Sequence, residues 1–492
     1  MSLYIGIDLG TSAVKLLLVD GEGVIRNSVT KEYPLIIPAP GWSEQKPEEW
    51  WNACLTGVNE LLEGFDRSDV AGIGAGGQMH GLVILDENDQ VIRPAILWND
   101  GRTAEEVDYL NETIGRETIS GYTANIAFAG FTAPKILWMK KHEPENFARI
   151  KKIMLPKDYV NYKLTGVHSC DYSDASGMLL LDVKNKCWSP EMLAICDVKE
   201  AQMPKLFESY EVIGNVTPEA AKAFGIPETV KVVAGAGDNA AAAIGTGVTG
   251  NGSCNISLGT SGTIFISSDE FGECAGNALH AFAHADGGFH LMGCMLSAAS
   301  CNKWFCEEIL KTKDYAGEQA DITDEKLGRN RVFFLPYLMG ERSPINDTDA
   351  RGTFTGITMD NTRADLLQAV LEGVTFAIRD SLEEAKKIGL HIESSRLCGG
   401  GARSPLWRKI MANIMNFTLE IPQSEEGPGY GGAMLAMVGC GEYASVKECA
   451  DALVHVTDRI EPDPEIAARY EERYQKFRKI YPTMKALFKE IK

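Results

Sequence analysis

What the 492-residue sequence has little of narrows its class first. It contains no stretch of about 18 uncharged apolar residues, so no transmembrane helix is expected. Positive charge is in deficit: 48 Lys and Arg stand against 68 Asp and Glu, a formal net charge of −20. That balance repels phosphates over any broad surface and argues against nucleic acid or an acidic membrane as partner. A local basic pocket for one small anion is still compatible with it. The twelve cysteines include no Cys-x-x-Cys pair and no zinc spacing, and in a chain this long they read as reduced, buried small hydrophobes. The first residues run straight into a strand pattern without a signal-peptide layout, so a cytoplasmic setting is expected. The length exceeds what one ordinary core accommodates, and two domains of similar size are expected.

What is present is organised around Ile5-Gly6-Ile7-Asp8-Leu9-Gly10-Thr11-Ser12 and the apolar run from Ala13 to Asp20, which includes Lys15. Two strand-length runs flank a tight turn, and an acid closes the first run. Gly10 lets the backbone bend so that main-chain N–H groups and the Thr11 and Ser12 hydroxyls can approach an anion. Asp8 repels a bare phosphate but can hold a Mg²⁺ that carries phosphates, directly or through water. The same pattern recurs at Ile256-Ser257-Leu258-Gly259-Thr260-Ser261-Gly262-Thr263. A third glycine turn, Gly399-Gly400-Gly401-Ala402-Arg403-Ser404, precedes a helical pattern that Ser404 caps and Pro405 opens. Two matching hairpins and a third turn suggest duplicated halves facing one nucleotide, and here the chain resembles the actin-like ATPase fold.

A second set of motifs suits a hydroxyl-rich ligand. A strand at Val70 to Ala75 runs into Gly76-Gly77-Gln78-Met79-His80-Gly81, and Trp98-Asn99-Asp100-Gly101-Arg102 supplies a further polar cluster. Trp50 and Trp51 lie on a helix opened by Pro47 and are expected in the core or loop packing rather than in a sugar-stacking platform. The strand Val230 to Ala234 leads to Gly235-Ala236-Gly237-Asp238-Asn239. Two roles are open to Asp238: helix N-cap, or the base that accepts the proton of an attacking hydroxyl. Asp171-Tyr172-Ser173-Asp174-Ala175-Ser176-Gly177 reads as a polar loop or strand edge with local hydrogen-bond acceptors. His280, His284 and His290 read as parts of a β-hairpin, not a metal set. The charged stretch from Glu465 to Lys492 reads as a solvated terminal helix.

With these pieces placed, the sequence resembles the FGGY carbohydrate kinases over nearly its full length, and within them the xylulokinase branch. Gly130-Phe131-Thr132-Ala133-Pro134-Lys135 with the following Ile136 to His142 fits the first family signature. Gly352-Thr353-Phe354-Thr355-Gly356-Ile357, followed by Asp365 to Glu372, fits the second. Glycerol kinases carry an Arg-Glu pair near the Met79-His80 position, and its absence here argues against glycerol. The resemblance implies an α/β fold of two actin-like (ribonuclease H-like) domains, residues 1–245 and 246–492, with a catalytic cleft between them. It implies ATP and Mg²⁺, D-xylulose as acceptor, D-xylulose 5-phosphate as product, and a homodimer. It assigns Asp238 as general base and Asp8 as the acid near phosphates and metal. Met79, His80, Asn239, Asn99, Asp100 and Arg102 fall to the sugar side. Gly10, Thr11, Ser12, Lys15, Gly259, Thr260, Gly400, Gly401 and Ser404 fall to the nucleotide side. Two rivals stand beside this reading. One is a kinase of the same family acting on another ketose, a polyol or a sugar acid. The other is an actin- or chaperone-like ATPase with a conformational output, which leaves Met79, His80 and Asp238 without a task.

Overall fold

The computed structural model describes residues 2–424 and 426–491. Alternating apolar side chains make the first hairpin, β1 (Leu3–Leu9) and β2 (Ala13–Asp20), paired antiparallel from Leu3↔Asp20 to Leu9↔Val14. β3 (Ile25–Glu32) extends it, and β4 (Val70–Gly77), β5 (Val212–Asn215), β6 (Lys231–Val233) and the short β7 (Ala236–Gly237) complete a seven-stranded sheet. Its order is β5-β6-β4-β1-β2-β3, with β7 pairing β4. The second sheet is built from β8 (Cys254–Leu258), β9 (Gly262–Ser268), β10 (His280–Ala283), β11 (Phe289–Met295), β12 (Ser394–Cys398), β13 (Thr418–Pro422) and β14 (Val456–Ile460). Its order is β10-β11-β9-β8-β12-β13-β14.

The duplication expected from the repeated hairpin is met strand for strand. In each sheet three antiparallel strands are joined through the first of them to two parallel strands and a closing antiparallel one. β1 and β8 occupy the same place, so the turns after Leu9 and after Leu258 are counterparts.

Helices cover both sheets. α1 (Pro47–Leu61) buries Trp50, Ala53, Cys54, Val58 and Leu61, a helical stripe turned onto β2 and β3. α2 (Thr132–His142), α3 (Pro156–Thr165) and the single-turn α4 (Tyr172–Ser176) form the wall beside β4 and β7. α5 (Asp238–Gly245) leaves β7 directly. In the second half, α6 (Arg363–Lys387) is fixed at its start by reciprocal bonds between Thr362 and Asp365 and runs buried beneath the sheet, with α7 (Pro405–Met415) beside it.

α8 (Gly427–Cys440) belongs to the second half of the chain yet lies on the first sheet, wedged between β1, β4 and α5. The approach is backbone to backbone. A Cβ on Gly6 would sit 1.9 Å from the Gly429 carbonyl oxygen, and one on Gly431 would sit 1.9 Å from that of Ala241. α9 (Pro464–Phe477) departs from the solvated terminal helix expected. It buries Ile466, Tyr470, Tyr474 and Phe477, and its Arg473 makes a buried ion pair with Glu372 of α6 at 2.6 Å. The paired charge lets an arginine sit in a packed face, which charge pattern alone does not reveal.

Candidate active site

The first turn is held from three sides. Gly10 N–H donates to Ala13 O at 3.0 Å, and the Tyr33 hydroxyl donates to Gly10 O. Gln45 Nε2 donates to Thr11 O at 2.6 Å, and the Trp98 indole N–H donates to the Thr11 hydroxyl at 2.9 Å. Ser12 at the tip is exposed. Lys15 on β2 is paired with Glu426, at the foot of α8.

The second and third turns meet at a cavity of about 690 Å³. Gly259, Thr260, Gly400, Gly401 and Ser404 all line it, with Tyr315 and Gln319 on the facing wall. Ser404 Oγ accepts the Trp407 N–H at 3.1 Å, capping α7, and donates to Gln319 Oε1 at 2.6 Å. A glycine-floored cavity at a capped helix start, mostly apolar with a few polar groups, suits a nucleoside with phosphates at its mouth. Tyr315 and Gln319 come from the short Tyr315–Gln319 helix, and no sequence motif marks them.

Asp8 and Asp238 are the paired acids of the first half. Asp8 is the penultimate residue of β1, and its Cβ lies 3.6 Å from the Cβ position of Gly429 at the start of α8. Burial pushes its carboxyl up to about 6, with Lys15 pulling down and Glu426 pushing up. Asp238 is the first residue of α5, so Gly237, not Asp238, holds the N-cap position. Its Oδ1 accepts the N–H of Asn239 at 2.7 Å and the Asn239 side-chain amide at 3.0 Å. Burial pushes its carboxyl up to about 7; the Asn239 N–H works against this and the Asp8 charge adds to it. A carboxyl so placed can exchange a proton near neutral pH.

Met79 and His80 follow β4. Met79 packs on Gly237, where a Cβ would meet its side chain at 3.0 Å, and its Sδ lies 3.9 Å from Asn239 Nδ2. His80 adopts φ 67°, and its ring stacks on Phe131 at 4.8 Å. Its Nδ1 lies 2.7 Å from Gly177 O, which only accepts, so Nδ1 carries the proton and Nε2 is the acceptor. Burial pushes the imidazole down to about 3, with the Lys135 charge adding, so it is neutral. Lys135, from the first family signature, is fully buried and donates to His80 O at 2.9 Å and Gly130 O at 2.6 Å. Its role as a brace for His80 is invisible in sequence, where a lysine in a helical pattern reads as solvated.

The Trp98–Arg102 cluster divides. Trp98 and Asn99 are exposed, whereas Asp100 and Arg102 are turned into packing. Asp100 accepts from Ser43 N–H at 2.6 Å and from Arg102 Nε and Nη2 at 2.8 and 2.7 Å. Arg102 lies 3.8 Å from the centroid of Trp42 and also pairs with Glu44 at 2.8 Å. These bonds commit Asp100 and Arg102 to supporting the loop that carries Asn99. Asp171–Gly177 is not the polar loop expected: Asp171 ends a strand and α4 follows, with Asp171, Ser173 and Asp174 buried.

Duplicated sheets with counterpart turns, a nucleotide-sized cavity on one half and buried carboxyls at strand ends on the other define an actin-like phosphotransferase of the sugar-kinase class. The chain belongs to the FGGY family of carbohydrate kinases: the family's N-terminal domain model matches residues 3–245 and its C-terminal domain model residues 254–440. It is 41% identical over 485 residues to the xylulose kinase of Escherichia coli (strain K12), covering 97% of this chain and 98% of that protein. Among solved structures, a xyloylose kinase from Brucella ovis superimposes with a TM-score of 0.94 at 39% identity, covering 99% and 100% of the two chains. A gluconate kinase from Lactobacillus acidophilus has the same TM-score at 27% identity, with both chains fully covered.

Proposed function

We propose that the enzyme transfers the γ-phosphoryl group of ATP to the terminal hydroxyl of D-xylulose, releasing ADP and D-xylulose 5-phosphate. One observation carries the reading. The Asp238 carboxyl, the Met79 thioether and the His80 ring meet at neighbouring strand ends, in a chain 41% identical to an enzyme named for xylulose. Asp238 accepts the proton as the hydroxyl attacks in line, and Met79, neutral His80 and Asn239 orient the sugar. Exposed Asn99 contributes from the rim, while Asp100 and Arg102 support it from below.

On the nucleotide side, Gly259, Thr260, Gly400, Gly401 and Ser404 border the nucleoside and phosphates. The Gly10-Thr11-Ser12 turn supplies N–H and hydroxyl donors for the transferring group, and Lys15 lies close by. Among the described residues no group of three or more His, Cys, Asp or Glu side chains could hold a metal by itself. The donor set therefore fits Mg²⁺ carried by the nucleotide, with Asp8 as its protein carboxylate and water filling the rest. Such an ion would neutralise charge on the transferring phosphoryl oxygens. The same proposal includes a cytoplasmic homodimer and a division between domains at residues 245 and 246.

The competing acceptor is a sugar acid, favoured by the likeness to a gluconate kinase. The test is ADP release with MgATP across D-xylulose, D-ribulose, L-ribulose, glycerol and gluconate, with Asp238→Ala as control. D-xylulose is expected to give the highest kcat/KM, and the variant to lose roughly 10²–10⁴ in rate or more. Preference for gluconate would move the substrate assignment. Normal turnover in the variant would remove the base assignment.

A further inference from the structure

Behind Asp238 lies a buried polar knot that the phosphoryl transfer itself does not use. Lys157 of α3 is fully buried, and its Nζ donates to Asp158 Oδ1 at 2.7 Å and to Ala234 O at 3.1 Å, with Asp171 Oδ1 at 3.0 Å. Asp174 is also fully buried, 3.8 Å from the same Nζ. Burying one cation among three carboxyls is costly, and apolar side chains of equal volume would stabilise the fold as well or better. What the knot supplies is fixed geometry. Asp171 Oδ2 accepts the Ser173 hydroxyl at 2.5 Å and the Ser209 hydroxyl at 2.9 Å. Ser173 Oγ, with its proton committed to Asp171, in turn accepts the Gly237 N–H at 3.1 Å. Gly237 ends the two-residue strand β7, and Asp238 is next.

The same turn also sets the sugar side. Gly177, just past α4, accepts the His80 Nδ1–H, and a Cβ there would lie 2.4 Å from the ring. One short segment, Ser173 to Gly177, thus fixes the strand end carrying Asp238 and the ring of His80 relative to each other.

We propose that Ser173 is a positioning residue for Asp238, holding the strand end that carries the base through the Gly237 N–H and itself held by Asp171 and Lys157. The proposal rests on Asp238 acting as the general base. Without the Ser173 oxygen the Gly237 N–H loses its buried partner, and the strand end can shift away from the line of transfer. A misplacement of about 1 Å is enough to cost on the order of 10²-fold in rate. The Gly177–His80 contact is untouched by that loss, so sugar binding is expected to survive it.

The test compares Ser173→Ala with Ser209→Ala. Ser209 is equally buried and donates to the same Asp171 oxygen, but its side chain does not reach Gly237. With both variants folded by circular dichroism, Ser173→Ala is expected to lower kcat roughly 10–100-fold with KM for D-xylulose and for ATP within about two-fold. Ser209→Ala is expected to stay within about three-fold of the parent kcat. In an Asp238→Asn background, Ser173→Ala is expected to add no further loss, because the group it positions is gone. Ser173→Thr keeps the oxygen and is expected to keep kcat within a few-fold of the parent, whether or not the alanine variant folds.

A folded Ser173→Ala enzyme with parent kcat would overturn the proposal. So would an equal loss in Ser209→Ala, a multiplicative loss in the Asp238→Asn background, or a Ser173→Thr enzyme as slow as the alanine variant. Asp238→Ala in the same assay separates the two claims. If it retains turnover, the base assignment falls; if it is inactive while Ser173→Ala is unimpaired, only the positioning role falls.

Discussion

Asp238 is active because it is uncomfortable. Its carboxyl is pushed up to about 7 chiefly by burial, with Asp8 adding to the push, so at neutral pH the folded enzyme holds a carboxylate that water would solvate better. As a base it must be ionised, so kcat/KM for the sugar is expected to rise through pH 6–8 with a midpoint near 7 and then level off. A flat profile down to pH 5 would remove the link between this environment and turnover. Stability follows with the opposite sense. The native carboxyl keeps its proton where the unfolded one has lost it, so stability falls as pH rises from about 4 to about 7. Asp238→Asn is therefore expected to raise Tm at pH 8 by roughly 2–4 °C, the effect of about 1 kcal/mol in domains of this size. At pH 4 the two proteins are expected to melt together. Equal melting at pH 8 would show that the strain is relieved elsewhere. Asp8 and Asp238 could be picked out in the sequence because each acid sits beside a glycine turn. Lys135 and Lys157 could not, since a buried lysine with carbonyl or carboxylate partners has the local pattern of an exposed one.

At the scale of elements, the hairpins were legible and the helix that crosses between halves was not. Alternating apolar residues and repeated Leu-Gly-Thr-Ser turns mark β1–β2 and β8–β9 from sequence alone, because each is set by contacts within about twenty residues. The small residues of α8 mark a helix made for close packing, but nothing local says that its surface is β1 and β4, several hundred residues away. The Asp171–Gly177 stretch failed for a related reason: its polar side chains are satisfied by Lys157, Gly237 and His80, which lie far off in sequence or on other elements. The packing of α8 can be tested at Gly6. A methyl there meets the Gly429 carbonyl, which belongs to backbone and cannot swing aside, so Gly6→Ala is expected to cost roughly 1–3 kcal/mol. Gly121 is the control, a helical glycine with no atom within 4 Å of a built Cβ. Gly121→Ala is expected to be neutral or stabilising by up to about 1 kcal/mol. Chemical denaturation of both variants checks the pair. Similar stabilities for the two would mean that α8 does not press on β1 as described.

Across the whole molecule, the two reactant sites belong to different halves. The cavity bordered by Gly259, Gly400 and Ser404 lies on the second sheet, while Asp8, Met79, His80 and Asp238 lie at strand ends of the first. The halves are joined by a firm seam away from the turns: Ala283 N–H donates to Ser176 Oγ at 3.0 Å, and Asn125 exchanges hydrogen bonds with Ala281. α8 locks a second-half element onto the first sheet. Relative movement is then expected as closure about these joints, bringing phosphates held by one half onto the base held by the other. Water can enter such a cleft, but it makes none of the contacts that Met79, His80 and Asn239 offer a sugar, and it gains nothing from closure. ADP release without sugar is therefore expected to be roughly 10²-fold slower than with D-xylulose, or slower still. A non-phosphorylatable analogue lacking the terminal hydroxyl provides the sharper measurement. If sugar contacts drive closure, the analogue should raise the rate of water attack above the sugar-free rate, because it closes the cleft and leaves room for a water beside Asp238. An analogue that leaves hydrolysis unchanged would mean that the sugar contributes its hydroxyl but not the closing of the cleft. Fast hydrolysis with no sugar at all would mean that the two halves are already aligned in the free enzyme.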